Sequence, residues 1–416
     1  MPRSDPVVKI LRGRIAAFRR SRRFVRWGES AALSRRLAEL LADIEAAVDD
    51  PRQGAELLIA FYETDKGTLG NCDDSSGHVG DVYRCSAVEV FVAYAARCPD
   101  KDWLAKRVLR LNSDDDFGVR DTLLYHAGRY LPEPTIRAMI AELQRTAAAA
   151  TDTAARRYPL RLVEALARQV GDAELFATTR LKSWGKDSIA AHADIAAVFL
   201  ENGDPATALS WLERTPAGER FRADERDRLL VAVHGQLGNT GDQAAAAWRL
   251  FRRGRSDLGL EKLLAVIGES RRVEVIDQEA AEILAVEDLS YVDAAFLVDA
   301  GRLDDAERYL LDRVAQLNGD YYERLLPLAE AMQDAGRVLA AVVIYRALVD
   351  SILRRARSVI YGHAVRYLRR LERMAPTVVD WRGVDDHEAY VAGLRERHGQ
   401  KRSFWAQVND DGPGRE

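Results

Sequence analysis

Apolar residues recur at every third or fourth position through almost the whole chain, the period of helices that bury one face. Val7, Leu11, Ile15, Phe18 and Val25 open the series, with Arg12, Arg19, Arg20, Arg23 and Arg26 beside them. A second helix is predicted from Ala31 to Val48, capped by Ser30 and ended by Asp49, Asp50 and Pro51. A third runs from Gln53 to Tyr62. Asp65 to Asp81 breaks the rhythm, and its Asp, Ser and Gly residues predict a loop. Val82 to Ala96 is apolar on most faces, which predicts a helix buried on several sides. Helices follow over 101–111, 119–130 and 133–149, the last with Pro134 in its first turn, where a missing N–H costs nothing.

Beyond residue 157 the pattern repeats. Gly203, Gly241, Gly301 and Gly336 each have an alanine five residues on (Ala208, Ala246, Ala306, Ala341) and a Leu or Tyr nine residues on (Leu212, Leu250, Leu310, Tyr345). A turn glycine followed by a small residue facing back is what a stacked αα-hairpin needs. Gly171 reads as a degenerate first member, and the steps are 32, 38, 60 and 35 residues. The 60-residue gap has to hold a further, worn hairpin around Leu258 to Leu284. The spacing resembles that of tetratricopeptide repeats, whose period is about 34 residues, although their Trp-Leu-Gly-Tyr positions are mostly absent. The expected fold is all-α. Residues 1–150 form an N-terminal helical region, with its boundary at the alanine run 147–150, and 151–408 form a tetratricopeptide-like solenoid. Gly362 is expected to break the basic stretch after Tyr345, a capping helix to run from Asp386 to about Val408, and the tail 409–416 to fray.

Hydrophobic residues make up 47% of the 416 and charged residues 30%, which suits a folded chain rather than a disordered one. No apolar run approaches the roughly 20 residues that span a bilayer, and no signal-peptide core is present, so a cytoplasmic location is expected. Cysteines stand at 72, 85 and 98. If Cys85 and Cys98 bracket one helix they lie about 20 Å apart, too far to share a metal or a bond, and buried free thiols are expected. The net charge of −4 hides an asymmetry. Residues 1–26 carry nine Lys and Arg against Asp5, a balance of +8, and the other 390 residues carry −12.

Three constellations carry candidate chemistry. The basic arm over 9–26 suits an anionic membrane or nucleic acid; the favoured alternative is an amphipathic helix docked on the acidic body. The acidic loop offers Asp73, Asp74 and Asp81 as weak ligands for Mg²⁺ or Ca²⁺. Asp81 reads more simply as the N-cap of the helix at Val82, and the loop as a turn and cap. A second acidic group, Asp114, Asp115, Asp116 and Asp121, either faces the first across a groove or sits at solvated helix ends. The third constellation joins Arg354, Arg355, Arg357, Tyr361, His363, Arg366 and Tyr367 with Lys401, Arg402, Phe404 and Trp405. Arginine interleaved with aromatics binds phosphates and stacks bases, or else forms a cap whose aromatics close the core. No Ser-His-Asp order, phosphate loop or His-Glu-x-x-His is present, so no catalytic residue, resident metal or cofactor is expected. His126, His192 and His234 are isolated.

Four blocks together carry a resemblance: Arg22-Arg23-Phe24-Val25-x-Trp27; Cys72 to Val82; Arg355-Ala356-Arg357 with Tyr361-Gly362-His363-Ala364; and His387-x-x-Tyr390 with Arg395-x-x-His398-Gly399-x-Lys401-Arg402-x-Phe404-Trp405. They resemble a bacterial family catalogued as domain of unknown function 6880, over nearly the whole chain. The acidic block and the closing Lys-Arg-x-Phe are also similar to the helical region that accompanies bacterial SWIM zinc fingers. The finger's Cys-x-Cys and Cys-x-His are absent, so its zinc and DNA contact do not carry over. The resemblance implies an all-helical repeat module of unassigned function and transfers no catalytic residue. The expected function is non-enzymatic binding of an unidentified protein or peptide on a concave face. The alternatives are nucleic-acid or anionic-polymer binding through 9–26 and 354–373 and, with less weight, a metal-dependent enzyme using the loop carboxylates.

Overall fold

The computed structural model describes residues 6–184, 188–216 and 218–410 of the chain. The described residues form helices and turns, with no strand apart from one isolated bridge between Val25 and Cys72. They divide into two compact units, Met1–Leu229 and Leu230–Glu416, the division falling inside helix Ala223–Leu237. Helix Glu133–Ala149, which ends in the alanine run, and helix Thr153–Gln169 pack on each other within the first unit. No helix among the described residues is long and apolar enough to cross a membrane. The tail expected to fray lies outside the described residues from 411 onward, and 409–410 belong to helix Arg402–Asp410.

The first unit is built around a core that runs from Val8 to Leu166. Helix Pro6–Arg20 buries Val8, Leu11 and Ile15 about one turn apart, so this side of the helix is a docking face, although Val7, expected on it, is exposed and Val8 takes its place. The second helix begins at Trp27, earlier than expected, because Glu29 reaches back to the Arg26 N–H and closes a capping box. Ser30 is therefore not a cap: it is buried inside the helix and donates its hydroxyl to the Trp27 carbonyl. Cys98 is buried and Cys72 half-buried, but Cys85 is exposed, since it falls on the outer face of the turns leading into helix Val88–Arg97.

From Val170 onward five helix pairs are joined through turn glycines of one kind. Gly171, Gly203, Gly238, Gly301 and Gly336 all have φ between 67° and 76°, the left-handed conformation that costs other residues about 1–2 kcal/mol. One hydrogen bond recurs at each turn: Asp172, Asp204, Asn239, Arg302 and Arg337 donate their N–H groups to the carbonyls of Ala167, Phe199, His234, Leu297 and Met332 at 2.8–3.0 Å. Gly238 takes the place expected for Gly241, which lies inside helix Thr240–Arg253. Ala208, Ala246, Ala306 and Ala341 are fully buried, as a close helix pair requires. The long gap holds helices Asp257–Ile267 and Arg272–Ala285.

In the second unit, helix Val338–Arg355 is central. Every residue from Leu339 to Arg346 is buried, and the helix packs on both Tyr322–Asp334 and Tyr361–Met374. It ends at Ala356, which is left-handed with φ 55°, so the break precedes Gly362. The expected capping helix is two pieces, His387–His398 and Arg402–Asp410. The Trp405 indole N–H donates to the His398 carbonyl at 2.9 Å across the joint.

Candidate functional site

The acidic loop of the first unit engages its own backbone. Asp74 accepts the N–H groups of Val79 and Gly80 at 2.9 and 2.8 Å and so caps helix His78–Asp81. Asp73 accepts both the N–H and the hydroxyl of Ser75. Asp81 is not the cap expected of it: Asp74 has already started the helix, and Asp81 ends that turn with Arg84 at 3.9 Å. Among the described residues no three His, Cys, Asp or Glu side chains gather where they could hold a metal ion.

The second acidic group is engaged by Lys66 and Arg120 rather than by the loop carboxylates Asp73, Asp74 and Asp81. Lys66 bridges Asp114 and Asp116 at 2.7 and 2.9 Å. Asp115 accepts the N–H groups of Phe117, Gly118 and Arg120 at 3.1, 2.9 and 2.9 Å. Beneath them Arg120 grips the fully buried Asp65 through two bonds of 2.8 and 2.6 Å and donates a third to the Leu111 carbonyl. Burial pushes the Asp121 carboxyl above its ordinary range. The basic arm is likewise paired, with Arg12 on Glu56 at 3.1 Å, Arg19 on Glu63 at 3.0 Å and Arg14 on Asp43.

The third constellation is divided by the fold. Tyr361 and Trp405 are buried, with Phe404 between them: its ring centroid lies 5.9 Å from Tyr361 and 4.9 Å from Trp405. Arg354 and Arg355 both pair with Asp320, at 3.2 and 2.9 Å. Arg357 and Arg402 are exposed, and the Lys401 carbonyl accepts the N–H groups of Phe404 and Trp405. His363 and Arg355 line a cavity with Tyr322 and Tyr367.

That cavity is a recess of 280 Å³ opening beside a larger cleft of 890 Å³, the two sharing Tyr322, His363 and Tyr367. The cleft lies between helices Tyr322–Asp334 and Tyr361–Met374. Leu326, Val338 and Met374 give it an apolar floor, and Arg366, Arg369, Arg370 and Arg373 line one wall. These arginines fall three, four and seven residues apart, hence on one helix face, opposite the buried Val365, Leu368 and Leu371. Arg370 pairs with Glu330 at 3.1 Å and lies 5.2 Å over the Tyr345 ring. Arg366 reaches a His363 ring nitrogen at 2.7 Å and, like Arg373, meets no carboxylate among the described residues. Burial pushes Tyr345 up to about 12 and raises Tyr367, so both phenols stay protonated and neither supplies an anionic nucleophile. The arrangement can hold negative charge beside apolar surface. Arg373 closes the basic stretch 354–373 that the sequence singles out, but the facing helix, with Leu326 and Glu330, is not among those residues, and no local signal points to it.

The family described as a family of unknown function (DUF6880) matches residues 3–161 and 133–407. No curated protein matches the chain, and no solved structure does.

Proposed function

This chain belongs to the family of unknown function DUF6880, and we propose that it is a non-enzymatic helical-repeat protein whose second unit holds a segment of a partner protein in the arginine-lined cleft. The observation that carries this reading is the pairing of Arg366 and Arg373, which lack carboxylate partners among the described residues, with an apolar floor between two helices. Arginine and tyrosine around a desolvated apolar centre are the residues that dominate protein interfaces. The recurring glycine turns, each followed by a buried alanine, support tetratricopeptide-like stacking, an architecture that presents side chains along grooves. Nucleic acid is the weaker reading. Of the four aromatics that would stack bases, Tyr361, Phe404 and Trp405 are packed in the core, which leaves Tyr367 in the cleft.

Affinity retention from native lysate, with and without nuclease treatment, tests the proposal, comparing the chain with its Arg366→Glu/Arg373→Glu variant. A discrete protein retained by the first and lost by the second is the expected result. Equal retention by both contradicts it, and retention that disappears with nuclease treatment favours nucleic acid.

A further inference from the structure

We propose that the segment taken by this cleft is an acidic amphipathic helix, with carboxylates seven residues apart set against Arg366 and Arg373 and a large apolar side chain between them on Leu326, Val338 and Met374. The inference rests on the reading of the cleft as a partner site. Arg366 and Arg373 stand two turns apart on helix Tyr361–Met374, about 10.5 Å along its axis. A second helix laid in the cleft has the same rise, so acids at i and i+7 meet both guanidinium groups while i+3 and i+4 face the floor. Between the two cations, Glu330 already neutralises Arg370 at 3.1 Å. The wall therefore presents two separated positive charges, which two separated carboxylates match more closely than the unbroken run of charge on a nucleic-acid strand. The adjoining recess, with Leu348, Ile352 and Ile360 around it, receives a second apolar side chain.

Fluorescence anisotropy with the full chain and labelled synthetic peptides of about 18 residues, long enough to hold a helix, tests this. The probes are a helix with two glutamates seven apart and leucines on the face between them, a scrambled peptide of the same composition, the corresponding glutamine peptide, and a single-stranded RNA. The patterned peptide is expected to bind at least about tenfold more tightly than the scrambled or glutamine peptide, and to weaken as salt rises. Arg366→Glu/Arg373→Glu should abolish that preference with unchanged helicity; Arg366→Gln/Arg373→Gln serves if the reversed pair misfolds. Equal binding of the scrambled peptide, or tighter binding of the RNA, overturns the inference. If the peptides fail while lysate retention still depends on the two arginines, this inference falls and the reading of the cleft stands. If that dependence is also absent, both fall.

Discussion

In the first unit Asp74 and Asp115 hold five backbone N–H groups between them and Asp65 is closed onto Arg120, whereas in the second unit Arg366 and Arg373 line a cleft with no carboxylate paired to either among the described residues. Both regions are dense clusters of one charge in the sequence, and they end in opposite conditions. The difference follows from what each side chain can bond locally. A short carboxylate in a loop with glycine nearby finds backbone donors within a few residues and becomes a cap. A guanidinium only donates, so on an exposed helix face it finds no donor to cap and needs an acceptor from elsewhere. A cluster of acids in a turn is therefore weak evidence for a ligand, and arginines aligned on a helix are stronger evidence.

The sharpest way to break this comparison is through Asp65. Asp65→Ala leaves Arg120 buried at 2% exposure without its counter-charge, and the first unit should lose about 3–5 kcal/mol in urea titration. A loss near zero would mean that the acidic segments are not held by this pair. Next comes Gly319, at the edge of the recess. A β-carbon there would lie 2.1 Å from the Ala347 carbonyl oxygen, which belongs to a buried helix. Gly319→Ala is expected to cost the second unit about 1–3 kcal/mol in the same titration, through overpacking rather than charge.

Asp74→Ala should cost about 1 kcal/mol, the worth of an N-terminal cap. Calorimetry with Mg²⁺ and with Ca²⁺ is expected to give the same heats for this variant as for the parent chain; binding lost with Asp74 would return the loop to the metal candidates. The smallest effect on folding belongs to the cleft. Arg366→Glu/Arg373→Glu should shift stability by no more than about 0.5 kcal/mol, since neither side chain pairs with a carboxylate among the described residues. A large shift would show that these arginines support the fold as Arg120 does, and would close the comparison.

Much of the fold could be read from residue pattern. The alanines after the turn glycines are buried because a small side chain is what allows two helices to approach. Gly241 misled because Gly238 stands three residues earlier, and composition does not say which of two glycines takes a positive φ. Ser30 misled because Glu29 forms a competing capping box one residue before it. The site was legible in part. The arginine spacing is visible in the sequence, but Leu326 and Glu330 of the facing helix lie some forty residues away, and only the packing of both helices on Val338–Arg355 brings them together. Tyr361 and Trp405 read equally well as stacking or core residues, since an aromatic on an amphipathic helix has the same pattern in either role.

The most direct test places a photo-crosslinking amino acid at Thr377, an exposed position lining the cleft, and separately at Ser75 in the acidic loop. Crosslinking in native lysate should join position 377 to a discrete protein, with the product suppressed by the patterned acidic peptide, and should give no such product from position 75. A product from position 75 alone, or one from 377 that the acidic peptide leaves unchanged, would contradict the assignment of the cleft as a site for an acidic partner segment.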